Sequence, residues 1–266
     1  MGTRRRLDAE LVRRRLARSR EHATSLVTDG RVRVAGQPAG KPATQVSADD
    51  PIVVIEGNGH PEYASRGGAK LAGALAAFPG LSVSGRRCLD AGASTGGFTD
   101  VLLRSGAAHV IAADVGYGQL TWALRTDERV TVLDRVNVRQ LRPEQVAPAP
   151  SVVTADLSFI SLTLVLPALA GCASQDADFL LLVKPQFEVG KGKVGAGGVV
   201  RDPRLRAEAV TSVAGAAAAL SLGVAGITAS PLPGPAGNVE YFLWLRRGAP
   251  ALNEDDVRQA IVEGPQ

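Results

Sequence analysis

The chain has 266 residues, 45% hydrophobic and 21% charged, a globular composition that excludes a disordered or fibrous protein. Two cysteines, Cys88 and Cys172, and three scattered histidines, His22, His60 and His109, exclude a disulfide framework, and no metal site is expected. Of the net charge of +4, residues 1–50 carry +5 (eleven Lys/Arg against six Asp/Glu) and the rest carry −1, so a basic module precedes a near-neutral body.

Residues 1–30 hold basic clusters and no apolar run, so no secretory leader is expected and the predicted setting is cytoplasmic. Leu11, Val12 and Leu16 share one face of a first helix that begins near Asp8. Ser19 is a plausible N-cap for a second, Arg20–Thr28, which Asp29-Gly30 ends. Arg31 to Ala35 alternates as a short strand, Gly36-Gln-Pro turns, and Val46 to Ile55 supplies another strand. A basic module of this kind either binds a polyanion or is a solvated arginine-rich helix. The runs Arg6-Leu-Asp, Leu16-Ala-Arg-Ser-Arg, Leu26-Val, Gly30-Arg-Val-Arg-Val and Gly36 resemble the S4 RNA-binding domain, expected here over residues 1–56. The resemblance implies RNA contacts at Arg6, Arg18 and Arg20, since guanidinium forks match phosphate oxygens. Residues 57–66, rich in glycine and polar side chains, read as an interdomain linker.

An apolar strand then ends at Asp90, and Gly92, Ala93, Ser94, Thr95, Gly96, Gly97 and Phe98 turn into an amphipathic helix, Phe98–Ser105. A second strand, His109 to Ala113, ends at Asp114. This is the first β-α-β of a doubly wound sheet, so the fold class is α/β with a small α+β head. Such a turn serves a dinucleotide or S-adenosylmethionine. A dinucleotide loop wants glycine where Ser94 stands, so that the backbone can approach the pyrophosphate. S-adenosylmethionine lacks that group and is favoured. Asp90 is placed to meet its cationic end and Asp114 its ribose hydroxyls. Tyr117 and Trp122 read as packing residues. A third strand, Val130 to Leu133, leads to Asp134 and Asn137, within reach of an adenine ring.

Ser151 to Ala155 is a fourth strand, closed by Asp156, and Asp178 to Val183 a fifth, closed by Lys184. Asn238 to Leu245 is a late strand carrying Glu240, and Lys70 begins a helix before the first strand. Side chains at the carboxyl ends of such strands line the ligand crevice. Asp156-Leu-Ser-Phe lacks both prolines common in enzymes that methylate base amines. Neither Cys88, inside a strand, nor Cys172, read as lying in a loop, is placed as the nucleophile of a C5 methyltransferase. A hydroxyl acceptor remains, and a lysine base suits it. Lys191 to Gly198 is a basic glycine-rich loop without the ending of a nucleotide-phosphate loop; it reads as an RNA-facing flap or a plain surface loop. The uncharged run Ala209 to Ala229 reads as helix, turn and strand, since a membrane span would be richer in Leu, Ile and Phe.

The order and strand placement of Lys70, Asp156, Lys184 and Glu240 resemble the Lys-Asp-Lys-Glu tetrad of the FtsJ-like ribose 2′-O-methyltransferases. With the S4-like head, residues 5–248 resemble the TlyA family of ribosomal RNA methyltransferases, on the runs Leu89-Asp-Ala-Gly-Ala-Ser-Thr-Gly-Gly-Phe-Thr, Ala155-Asp-Leu-Ser-Phe-Ile-Ser-Leu, Leu182-Val-Lys-Pro-Gln-Phe-Glu and Gly237-Asn-Val-Glu-Tyr. Gly68-Ala69 departs from the bulkier polar pair expected there. The resemblance implies a Rossmann-like methyltransferase domain over 67–250, a C-terminal tail over 251–266, and S-adenosylmethionine as cofactor. It implies ribosomal RNA within ribosomal subunits as partner, with cytidines of 16S and/or 23S RNA as targets, and neither membrane nor obligate protein partner. Lys184 is the expected general base. A lysine's reference pKa of about 10.4 is too high for that task at neutral pH, and Lys70 would lower it as a like charge while Asp156 and Glu240 orient the amines. Two rival readings are an RNA-binding protein with an inactive methyltransferase domain and a haemolysin-like membrane-active protein.

Overall fold

Leu7 and Leu11, one turn apart on helix α1 (Leu7–Arg13), are fully buried and anchor a small core with Ala23, Leu26, Val27, Val32 and Val46. The computed structural model describes residues 4–17, 19–28, 30–55 and 63–264. The chain divides into two units, residues 1–66 and 67–266. In the first, β1 (Arg5–Arg6) precedes α1, and α2 (Arg20–Thr28) follows, its first turn capped by Ser19, whose Oγ accepts from the His22 N–H at 3.1 Å. Next come β2 (Val32–Val34), β3 (Gln37–Pro38), β4 (Gln45–Val46) and β5 (Ile52–Val54). The single strand expected from Val46 to Ile55 is thus two. The Asp50 carboxylate accepts from the Ser47 N–H (2.8 Å), closing a turn between them, so β4 pairs with β1 while β5 pairs with β2.

The second unit opens with α3 (Arg66–Ala77) and continues through β6 (Arg87–Ala91), α4 (Gly97–Arg104), β7 (His109–Asp114), β8 (Val130–Asp134) and β9 (Val152–Ala155). It then runs through α5 (Leu162–Cys172), β10 (Asp178–Val183), α6 (Pro203–Ala218), β11 (Leu222–Ala229), β12 (Tyr241–Arg247) and α7 (Glu254–Glu263). One seven-stranded sheet has the order β11-β12-β10-β9-β6-β7-β8, parallel except for β12, which is antiparallel to both neighbours. Every residue of β9 and β10 is buried, as expected for strands covered on both faces. The chain order reverses between β6 and β9, the switch point where open sheets of this kind hold ligands.

The uncharged run after Ala209 is the end of α6, a turn and β11, and no helix among the described residues is long and apolar enough to cross a membrane. Cys172 closes α5 and lies in no loop, and the late strand begins at Tyr241, so Glu240 stands just before it. The segment expected to be a tail is helical. Asn253 caps α7, accepting from the Asp255 N–H at 2.9 Å, and Val257 and Ala260 bury its inner face against α6 and β11.

Candidate active site

The glycine turn after β6 works by close approach. Gly92 has φ +86, and a Cβ there would lie 2.5 Å from the Asp156 carbonyl oxygen. Only glycine lets the loops after β6 and β9 touch at the switch point. Gly96, at φ +100, would overlap Leu120 and Leu124 if it carried a side chain. Ser94 also takes a left-handed φ of +47. Its N–H donates to Asp114 Oδ2 at 2.8 Å while the Gly116 N–H donates to Oδ1 at 2.7 Å, so Asp114 staples the turn to the loop after β7. Ser94 and Thr95 are exposed; Ala93 and Gly97 are buried.

Three expectations change here. Asp90, expected to face a ligand's charge, is fully buried beneath the turn; Thr99 Oγ1 donates to it at 2.6 Å, and burial pushes its pKa up to about 7. Phe98 is a core residue stacked on Phe242 with ring centres 6.0 Å apart, because the first turn of α4 points it into the sheet. Tyr117 and Trp122 are exposed rather than packed, with the Arg135 guanidinium 4.4 Å from the Tyr117 ring centre. Asp134 pairs with Arg125 at 2.9 Å, and exposed Asn137 caps the turn Val138–Gln140. Sequence reasoning missed Val115, an exposed apolar side chain directly after Asp114, whose signal was its place at a strand end.

The four charged residues fall into two pairs. Lys184, just past β10, places Nζ 2.5 Å from Asp156 Oδ1, just past the parallel neighbour β9, and donates to Ser158 Oγ at 3.1 Å. Lys70, on α3, places Nζ 2.5 Å from Glu240 Oε2, and these two are only 4% and 1% exposed. Val183 pairs with Tyr241 across β10 and β12, so the register puts Lys184 and Glu240 opposite each other at the same edge. Lys70 is therefore neutralised by Glu240, and the expectation that it acts on Lys184 as a bare like charge does not hold. Glu240 Oε1 is buried with no hydrogen-bond partner among the described residues. Gly234 covers it so closely that a Cβ would come within 2.6 Å. Ser158 went unnoticed in the sequence, where an isolated serine carries no signal.

Both cysteines are buried, and burial raises both thiol pKa values, that of Cys88 to about 12, so neither is a nucleophile. Among the described residues no group of three or more His, Cys, Asp or Glu could hold a metal ion. After β10, Lys193 pairs with Glu208, and Asn238 fastens the glycine-rich segment by accepting from the Val200 N–H (2.9 Å) and donating to the Gly198 carbonyl (2.8 Å).

In the first unit, Arg6 and Arg20 converge on one buried carboxylate, Asp8, at 2.8 and 3.0 Å, while remaining 49% and 61% exposed themselves. The hydrogen bond from Arg6 holds the Asp8 carboxyl down at about 2. Arg13 and Arg14 grip fully buried Glu10 in the same way, also to about 2. Arg18 lies outside the described residues, as do residues 56–62 of the expected linker. Arg6, Arg13 and Arg20 keep N–H donors beyond those these carboxylates use, whereas Arg14 spends its own on the Ser47, Ala48 and Asp50 carbonyls.

Models of two families match the chain: the S4 domain over residues 5–52 and the FtsJ-like methyltransferase over residues 63–247. The 16S/23S rRNA (cytidine-2′-O)-methyltransferase TlyA of Mycobacterium tuberculosis is 60% identical over 270 residues, covering all of both chains. The 23S rRNA (cytidine-2′-O)-methyltransferase TlyA of Campylobacter jejuni is 36% identical over 183 residues, 68% of this chain and 70% of the relative. A solved structure of a candidate hemolysin from Streptococcus thermophilus is 36% identical with a TM-score of 0.76, covering 99% of this chain and 98% of that one. With both halves matched in order and the full length shared at such identity, the chain belongs to the TlyA family, an S4 domain followed by an FtsJ-like methyltransferase domain.

Proposed function

We propose that this enzyme methylates the ribose 2′-oxygen of cytidines in ribosomal RNA, using S-adenosylmethionine, with Lys70, Asp156, Lys184 and Glu240 as its working residues. The observation that carries the reading is the pair of lysine–carboxylate contacts at the carboxyl edge of the sheet, one of them ending in Glu240 Oε1, which has no partner among the described residues. The residues present fit the cofactor. Gly92 lets the loops after β6 and β9 meet at the switch point, Ser94 stands where a pyrophosphate would demand glycine, and exposed Val115 beside Asp114 offers an apolar wall for a ring next to acceptors for ribose hydroxyls. When bound, S-adenosylmethionine supplies a methyl group on a positively charged sulfur.

The chain's own residues handle the acceptor. Lys184 Nζ takes the proton of the 2′-hydroxyl as its oxygen becomes the nucleophile. Asp156 and Ser158 aim that amine. Lys70 and Glu240 hold each other as a buried pair beside Lys184, and so fix the end of the sheet at which the acceptor must lie.

The S4 unit holds the RNA backbone through Arg6 and Arg20, with Arg18 beside them in sequence. The match along the whole chain to a relative named for both RNAs supports cytidines in 16S and 23S RNA as targets, met within ribosomal subunits in the cytoplasm. The test incubates the purified chain and labelled S-adenosylmethionine with each ribosomal subunit and maps ribose methylation. Label on cytidine 2′-oxygens is expected. Label on a base would overturn the acceptor, and cofactor binding without transfer would favour an inactive domain.

A further inference from the structure

The turn that follows Lys184 carries a carboxylate that the proposed chemistry does not use. Pro185–Glu188 is a single helical turn, closed by the Phe187 N–H to Lys184 carbonyl bond (2.9 Å) and the Val189 N–H to Pro185 carbonyl bond (3.1 Å). Pro185 pre-sets its first φ, so Lys184 and Glu188 are held at a fixed separation. Glu188 is largely enclosed, which raises its pKa, against the opposing pull of the hydrogen bonds it accepts. The Ser161 hydroxyl donates to Oε2 at 2.5 Å and the Leu162 N–H to Oε1 at 2.8 Å, so the carboxylate spans the N-terminus of α5. Ser161 already caps that helix by accepting from the Thr163 N–H at 3.1 Å. A second, charged and enclosed cap costs desolvation that helix capping alone does not call for.

What Glu188 grips is the end of the loop that serves Lys184. That loop leaves β9 with the Asp156 N–H bound to the Ala91 carbonyl at 3.0 Å, and it carries Asp156 and Ser158, both partners of Lys184. Midway, Phe159 sits at φ +64, a strained conformation for an aromatic residue, and its ring lies 5.2 Å from that of Phe187. One turn thus holds one loop at two points: Lys184 at Asp156 and Ser158, Glu188 at Ser161 and Leu162.

We infer that Glu188 is a positioning residue for Lys184: by clamping the Asp156–Ser161 loop to the Pro185–Glu188 turn, it sets the contact between the Lys184 amine and Asp156. The inference rests on the reading of Lys184 as the base. Without the clamp the loop is free to relax at Phe159, and the amine loses its aim. A displacement of about 1 Å at a reacting group costs on the order of 100-fold in rate.

Two variants of the full chain test this. Glu188→Gln keeps an oxygen for the Leu162 N–H and loses the charge; Glu188→Ala loses both bonds. Single-turnover transfer should fall about tenfold and about 100-fold respectively. Affinities for S-adenosylmethionine and RNA should stay within about twofold, since no group that binds either is removed. A second readout needs no activity: the side-chain Cε–Nζ NMR signal of Lys184, assigned by its loss in Lys184→Ala. In Glu188→Ala it should move in the direction in which Asp156→Asn moves it. A Lys184 signal that stays in place while the melting temperature drops would reduce Glu188 to a helix cap and overturn the inference. So would transfer by Glu188→Ala at the wild-type rate. If Lys184→Ala itself transfers normally, the base assignment fails, and a moved Lys184 signal in Glu188→Ala still upholds the clamp.

Discussion

The two edges of the large sheet carry buried charge in different ways. At the amino edge, Arg86 places Nη1 2.5 Å from Asp178 and also donates to the Ser82 carbonyl and to Ser151, while the Trp244 indole N–H donates to Asp178 at 2.8 Å. Each oxygen of Asp178 has a named partner, and the contacts join the starts of β6, β9 and β10 to β12. At the carboxyl edge the same strands present Asp156, Lys184 and Glu240, and there the network is unfinished: Glu240 Oε1 is buried without a partner among the described residues. Buried ion pairs by themselves therefore do not mark a site. The difference is unsatisfied hydrogen-bonding capacity, which a closed structural clasp does not leave behind.

The sharpest way to break the comparison is to remove one cation from each edge. Lys184→Ala should lower single-turnover methyl transfer by roughly 10²- to 10⁴-fold, the usual size of general-base catalysis, and leave the folded state intact. Arg86→Ala should do the reverse: it strands Asp178 in the interior and destabilises by about 2–4 kcal/mol in urea unfolding, with transfer per folded molecule unchanged. Equal losses of rate in both variants would erase the distinction.

Next in size is Gly92→Val, which forces a side chain against the Asp156 carbonyl at a backbone angle that valine avoids. Calorimetry should find S-adenosylmethionine binding weakened by on the order of 100-fold or more, by analogy with other ligand-site clashes worth several kcal/mol. NAD should not bind the wild type; NAD binding in place of S-adenosylmethionine would reverse the cofactor assignment.

The pairing of Lys70 with Glu240 is sharpened by a double-mutant cycle. Lys70→Ala leaves a wholly buried carboxylate unneutralised, whereas Lys70→Ala with Glu240→Gln does not. The double variant should be the more stable of the two, with a coupling of about 1–3 kcal/mol. Additive losses would mean that the two side chains do not share this contact.

A final test concerns Asp90. Its folded pKa of about 7 lies above the ordinary 3.8, so the folded protein holds a proton that the unfolded chain releases. That contribution to stability is complete below 3.8 and is lost as pH rises through 7. Asp90→Asn removes the dependence, so its unfolding midpoint should decline less than that of the wild type between those limits. Parallel curves would show that Asp90 is charged throughout.

Much of this edge was legible residue by residue. Gly92 and Gly96 mark a turn that only left-handed backbone completes, and Asp156 and Lys184 close apolar runs whose length identifies buried strands. Their roles as neighbours follow from parallel pairing of successive strands. Less was legible where a residue's surroundings come from far along the chain. Asp90 and Phe98 flank the same glycine turn as Ser94, yet the sheet and α4 enclose them, and Tyr117 and Trp122 read as packing residues in sequence but face solvent. The split of residues 46–55 into two strands turned on one local bond, from the Ser47 N–H to Asp50, which hydrophobic alternation does not reveal.

By itself, the sequence determined the class of the fold and the glycine turn, because backbone permissiveness and strand length act locally, while the grouping of the four charged residues rested on the resemblance to the FtsJ-like tetrad. Tertiary structure alone decided which lysine meets which carboxylate. Lys70 and Glu240 stand 170 positions apart and are joined only because β12 runs antiparallel beside β10, with Val183 opposite Tyr241. Burial likewise belongs to the assembled sheet: it lifts the pKa of Asp90, leaves Glu240 Oε1 without a partner among the described residues, and lets Glu188 bridge a turn to a loop that follows a different strand. Desolvation and register are properties of packed neighbours, and neighbours that come from distant segments exist only once the chain has folded.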